Sequence, residues 1–265
     1  MGVVNVTPDS FSDGGRYAEV VPAVTHGLRL AAEGADLLDV GGESTRPGAE
    51  PVTAEEEVRR VVPVIERLAV EAAVPVSVDT TKAAVAAAAL AAGATVVNDV
   101  SAGRTDPDIL GVTAAAAAGY VAMHMQGEPR TMQVAPHYDD VVSDVLAFLE
   151  ERLAFAVWSG IREERICVDP GIGFGKTPDQ NLELLRRLDE LCSLGRPVLV
   201  GASRKSTLGR VLGDARATQG GLAASLAAAV AAFGRGASMI RAHDVRETVE
   251  ALAVAAAVER GKIRA

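Results

Sequence analysis

The 265-residue chain has the length of one α/β barrel or of two small domains, and with no Pro/Gly/Ser-rich linker to divide it we read a single domain over residues 1–265. Hydrophobic residues make up 49% of the chain and aromatics only 3%, with Ala and Val dominant, which supplies a large core and favours helices packed on a parallel sheet. A net charge of -9 argues against a nucleic-acid or anionic-membrane partner, so any anion must be met by a local cluster of cations.

Val3, Val4 and Val6 make a first short strand, and Pro8 to Gly15 is a Pro-, Asp-, Ser- and Gly-rich loop in which Phe11 stands as a lone large apolar residue. Val20 to Ala32 is a predicted helix stopped by Gly34, and Asp36 to Val40 is the second strand. The polar loop that follows, Gly41 to Gly48, has the length that compact domains reserve for function. Thr53-Ala54-Glu55-Glu56 is a capping box that starts a helix to about Glu71. Val76 to Asp79 is the third strand, Lys82 to Ala92 a helix closed by Gly93, and Val96 to Asp99 the fourth strand. A helix beginning at Asp106-Pro107 leads to Tyr120 to Met123, the fifth strand, and then to a loop from His124 to Arg130. Asp140 to Gly160 is helical and Ile166 to Asp169 is the sixth strand. Next come a glycine-rich turn, Pro170 to Lys176, and one helix from Pro178 to Leu194. Val198 to Val200 is a seventh strand that runs through small residues into Arg204 and Lys205. Thr207 to Gly234 carries one or two helices, Ser238 to Arg241 is the eighth strand, and Val245 to Arg260 the last helix. Eight strands alternating with helices, each crossover long enough to return parallel, predict a (β/α)8 TIM barrel. The glycines at 171, 173 and 175 do not have the spacing of a dinucleotide-binding turn.

Barrel enzymes build their sites at the carboxyl ends of the strands, and nearly every predicted strand here ends in a polar side chain. These are Asn5, Asp39, Asp79, Asn98, Asp99, His124, Asp169, Arg204, Lys205, Arg241 and His243. Any one of the Asp or Asn residues alone could be a helix cap. Together they converge on one mouth, where Asp79, Asn98 and Asp169 offer acceptors and an amide suited to a flat heterocycle with several N–H donors. Arg241 and His243 fall beside Asn5 if the eighth strand pairs with the first, and they suit a leaving anion with a magnesium ion. Cys167 lies in a strand run and Cys192 in a helical one, with no metal-ligand spacing, so a reducing compartment is the simpler expectation. No run of about 18 apolar residues predicts a membrane span.

At the level of long motifs the chain resembles the dihydropteroate synthases over nearly its whole length. The matching segments are Gly2 to Gly15, Asp39 to Gly48, Ser77 to Thr80, Val97 to Val100, Met123 to Gly127, Asp169 to Lys176, Gly201 to Ser206 and Ile240 to Val245, in that order. The resemblance implies a transferase of folate biosynthesis. Such an enzyme condenses 6-hydroxymethyl-7,8-dihydropterin pyrophosphate with 4-aminobenzoate and releases pyrophosphate and 7,8-dihydropteroate. It implies that Asp79, Asn98, Asp169 and Lys205 hold the pterin, that Met123, Phe174 and Gly201 shape its slot, and that Lys205, Asp79 and Asp169 serve catalysis. Asn5, Arg241 and His243 would hold pyrophosphate, with Asn5 the protein ligand to Mg2+. Two loops, with Phe11 and Asp13 in one and Thr45, Arg46 and Pro47 in the other, would close over 4-aminobenzoate beside Lys205 and Ser206. A cytoplasmic homodimer is expected, with small-molecule substrates and no nucleic-acid or membrane partner. Two alternatives share the barrel: a pterin-binding methyltransferase, which would not need Thr45-Arg46-Pro47 or Ser203-Arg204-Lys205, and a paralogue that binds pterin without turnover. Members usually carry residues ahead of the first strand, often a small hairpin beneath the barrel, so the covering of the barrel floor is the one departure to be examined.

Overall fold

A computed structural model describes residues 1–6, 15–44, 48–128 and 131–261. Eight short strands alternate with helices. The strands are β1 (Gly2–Asn5), β2 (Leu38–Gly41), β3 (Val76–Asp79), β4 (Val96–Asp99), β5 (Gly119–Met123), β6 (Ile166–Asp169), β7 (Leu199–Val200) and β8 (Met239–Ile240). The intervening helices are α1 (Gly15–Ala32), α2 (Ala54–Glu71), α3 (Ala83–Ala91), α4 (Asp108–Ala115), α5 (Val141–Trp158), α6 (Pro178–Arg186), α7 (Leu188–Leu191), α8 (Ser206–Val211), α9 (Leu222–Phe233) and α10 (Val245–Arg260). β1 to β6 pair in sequence order, β7 pairs with β8, and every ladder is parallel. Single bridges, Val168 to Val198 and Gly2 to Ala242, join the two sheets at both seams and close the barrel. The predicted (β/α)8 architecture is the one observed.

The strands, β8 apart, are largely buried on both faces and accordingly read as runs of Val, Leu and Ile. α2 shows how the outer layer attaches. Val61, Val64, Ile65 and Leu68 recur at the three-four spacing of one helix face, and all four are inaccessible to solvent. Each such side chain contributes on the order of 1.5–3 kcal/mol by burial. Arg67 and Glu71 pair with each other on the exposed face. Met1, Val96 and Met239 pack against a small buried group of Val121, Cys167 and Leu199, and the Met1 ammonium donates to the Ile240 carbonyl at 2.9 Å.

Three local expectations change. The Thr53 box is half made, because Thr53 Oγ1 accepts from the Glu56 amide while the Glu56 carboxylate turns to Arg59 and Arg60. The reciprocal box lies instead at Thr177 and Gln180, at the start of α6. Asp106 does not open α4; its Oδ2 accepts from the Ala83 amide at 2.7 Å and so caps the neighbouring α3. The helix expected over Pro178 to Leu194 breaks at Arg187, whose guanidinium is held by Asp140 and Glu190, so α6 and α7 are separate. No helix among the described residues is long and apolar enough to cross a membrane.

Candidate active site

The carboxyl ends of β2, β3, β4 and β8 form one charged wall. Arg241, which follows β8, spans the barrel mouth, with Nε 2.7 Å from Asp39 Oδ2 and Nη2 2.9 Å from Asp79 Oδ2. Asn98 Nδ2 donates to the same Asp39 oxygen at 3.0 Å. Asp39 is fully buried, and its other oxygen meets no donor. Such a pair is retained only when both charges stay matched, because an isolated buried charge costs several kcal/mol. Burial pushes the Asp79 carboxyl up to about 7, against the pull of Arg241 and with the push of the neighbouring Asp39. Gly201 faces this wall at the end of β7, where a Cβ would lie an ordinary 3.7 Å from Arg241 Cβ.

The opposite wall comes from β5, β6 and the segment after β7. Asp169 accepts the Gly171 amide at 2.7 Å, and burial raises its carboxyl to about 6. Met123 and Phe174 belong to a small buried apolar group with Val100, Met125 and Met132. The Lys205 ammonium stands 4.2 Å from the centroid of the Phe174 ring, a cation over an aromatic face. Lys205 precedes α8, so Ser206 opens that helix beside it. At the seam with β8, His243 Nδ1 is 3.0 Å from Ser203 Oγ, and burial followed by Arg241 drives the imidazole down to about 4. Asn5 ends β1 in register with Gly41 of β2.

Asp39, Asp79, Asn98, Asp169, Lys205 and Arg241 thus ring one mouth, with Met123 and Phe174 as an apolar plate. Three of the strand-end polar residues stand elsewhere. Asp99 is consumed by its own loop and by Tyr120: it accepts from the Ser101 amide and hydroxyl, the Gly103 amide and the Tyr120 hydroxyl. His124 packs under the β6 turn against Lys176. Arg204, adjacent to Lys205, points outward to Asp244 on the surface. The assignment of Arg241 to pyrophosphate alone is widened, since its fork is engaged by two acids of the heterocycle wall. Phe11, Asp13, Thr45, Arg46 and Pro47 lie outside the described residues. Lys176 and Asn181 are site partners that no sequence rule marks: Lys176 ends a glycine turn, and Asn181 is one polar residue inside α6.

Among the described residues no group of three His, Cys, Asp or Glu side chains is placed to hold a metal ion. Asn5, at the end of β1, carries an amide oxygen of the donor type that magnesium takes.

A parallel barrel whose mouth sets two buried carboxyls and an amide against a lysine-capped aromatic ring is built to take a flat, donor-rich heterocycle. Residues 1–243 match the family of pterin binding enzymes, and the chain belongs to that family. Within it the chain sits among the dihydropteroate synthases. It is 45% identical to the dihydropteroate synthase of Escherichia coli over 262 residues, covering 99% of this chain and 92% of the relative. Mycobacterium leprae has a dihydropteroate synthase 46% identical over 268 residues, covering 97% and 92%. The Xanthomonas albilineans dihydropteroate synthase solved with 4-aminobenzoic acid superposes with a TM-score of 0.89 at 53% identity, covering 98% of this chain and 92% of that one.

Proposed function

We propose that this chain condenses 6-hydroxymethyl-7,8-dihydropterin pyrophosphate with 4-aminobenzoate to give 7,8-dihydropteroate and pyrophosphate. The observation that carries the reading is the Arg241 fork between Asp39 and Asp79, facing Asp169 and Lys205 across the mouth. In this reading Asp79, Asn98 and Asp169 receive the ring N–H and amino groups, and Met123, Phe174 and Gly201 form the slot. Lys205 supplies a donor along the ring edge. Arg241, His243 and Asn5 receive the pyrophosphate, and Mg2+ when bound neutralises part of its charge. The bond from the pterin methylene carbon to the pyrophosphate oxygen breaks with its electron pair leaving on oxygen. The amino nitrogen of 4-aminobenzoate then bonds to that carbon and loses one proton. The fixed carboxylates of Asp79 and Asp169 stabilise the positive pterin between these steps. Burial keeps both acids partly protonated while the mouth is empty, and donors from the pterin ring favour their ionised forms. Phe11, Asp13, Thr45, Arg46, Pro47 and Ser206 are assigned to the 4-aminobenzoate side by their place in the matched motifs. Release of pyrophosphate on mixing both substrates with magnesium tests the reading; no release from folded protein would overturn it.

The cytoplasm is the compartment that fits two unpaired cysteines and an acidic surface. A homodimer through α6, α8 and α9 is supported by an apolar groove there, with Leu182, Val211 and Leu212 exposed at its edges. Light scattering of the purified chain reads its mass directly.

A further inference from the structure

Lys176 is only 2% exposed, although lysine is among the residues least often buried. Its ammonium stands 2.8 Å from His124 Nδ1 and donates to the carbonyls of Gly171 and Phe174, each at 3.0 Å. Three N–H groups thus face three acceptors. The arrangement needs a neutral His124, and burial together with Lys176 does push that imidazole far down. Burial pushes the Lys176 amine down to about 7, with Asp169 pulling the other way, so the three acceptors offset part of the cost of a cation in this place.

Both carbonyls belong to the turn after β6. The Gly171 amide donates to Asp169 while the Gly171 carbonyl accepts from Lys176, so one residue is gripped from the mouth and from beneath. A second tie holds the same turn. Gly173 N–H donates to Asn181 Oδ1 at 2.7 Å, and Asn181 Nδ2 donates to Thr207 Oγ1 at 3.0 Å, two residues beyond Lys205. The turn presents the Phe174 ring beneath the Lys205 ammonium, and Gly173 leaves only enough room for the Lys205 stem, since a Cβ would come within 3.2 Å of Lys205 Cδ.

We propose that Lys176 and Asn181 are positioning residues for the pterin site, holding residues 171–175 so that Asp169, Phe174 and Lys205 meet the ring at one fixed spacing. The inference rests on the synthase reading and deepens it, because neither residue would touch substrate. The test is steady-state kinetics and thermal unfolding of Lys176→Met and Asn181→Ala beside the wild type. Each folded variant is expected to raise KM for pterin pyrophosphate by about tenfold or more, while KM for 4-aminobenzoate stays within about twofold. Lowered melting temperature with both KM values unchanged would mean a merely structural tie and overturn the proposal; an equal rise in both would overturn it too. If Lys176→Met fails to fold, Asn181→Ala decides by the same split. A wild type without pyrophosphate release defeats the functional reading, whereas wild-type kinetics in the variants defeat this inference alone.

Discussion

The two walls of the mouth solve the problem of buried charge differently. On the β2, β3, β4 and β8 side, opposite charges answer one another, with one guanidinium between two carboxylates, one of which also accepts from an amide. On the β5 and β6 side, Lys176 is answered by two peptide carbonyls and a neutral imidazole. The first arrangement fails badly when one partner is removed, because the survivor is a bare charge in a dry place. The second fails in geometry, since a neutral dipole left unmatched costs less but lets its peptide drift.

The sharpest way to break this contrast is Arg241→Met, which leaves Asp39 and Asp79 without a counter-charge. Denaturant unfolding should show a loss of roughly 3–5 kcal/mol, and turnover should vanish. Adding Asp39→Asn should restore a large part of the stability and none of the activity; no recovery would mean that Arg241 acts through packing alone. Lys205→Ala is expected to come next in total effect. Its half-buried ammonium serves the ligand, so kcat/KM for pterin pyrophosphate should fall by about 100-fold or more while stability changes by less than about 1 kcal/mol.

The pH dependence sharpens the comparison further. Asp79 at about 7 and Asp169 at about 6 keep their protons longer in the folded protein than in the unfolded chain. Their contribution to stability is full below about pH 4 and is lost as pH rises to about 7. His243, held near 4, has the opposite sign: its contribution is present above about 6.5 and lost as pH falls. Asp79→Asn removes only the Asp79 part of the first effect. Unfolding measured from pH 4 to 7 should therefore show the variant gaining on the ligand-free wild type by on the order of 2–4 kcal/mol, and parallel curves would contradict the raised carboxyl. The smallest effect is expected at Arg204, which has φ 58 and is exposed in its pair with Asp244. Arg204→Gly loses a surface ion pair and gains relief from a left-handed backbone, so stability should stay within about 1 kcal/mol with turnover unchanged.

Much of this was readable from the amino-acid sequence, and the failures have physical causes. The apolar strand runs and their polar ends located the barrel and its mouth, because a buried parallel strand has a plain hydrophobic signature. Asp39 and Asp99 look alike in that pattern. What separates them is tertiary: Tyr120 and a serine-glycine loop use up the lone pairs of Asp99, whereas Asp39 receives Arg241 from the far end of the chain. Arg204 and Lys205 are neighbours read as one cation cluster, yet the left-handed turn at Arg204 sends them to opposite sides. Lys176 carries no mark in the sequence, because a lysine after a glycine turn is ordinarily a solvated one. The break at Arg187 carries neither Pro nor Gly, so no local rule marks it.

At Gly171, with φ 68, a Cβ would fall 1.9 Å from the His124 carbonyl oxygen, and at Gly175, with φ 64, one would fall 2.4 Å from that of Gln126. At these two glycines the loops after β5 and β6 are thus laminated, with backbone laid against backbone. An insertion or substitution in one ply must be answered in the other, so this wall is poor ground for variation.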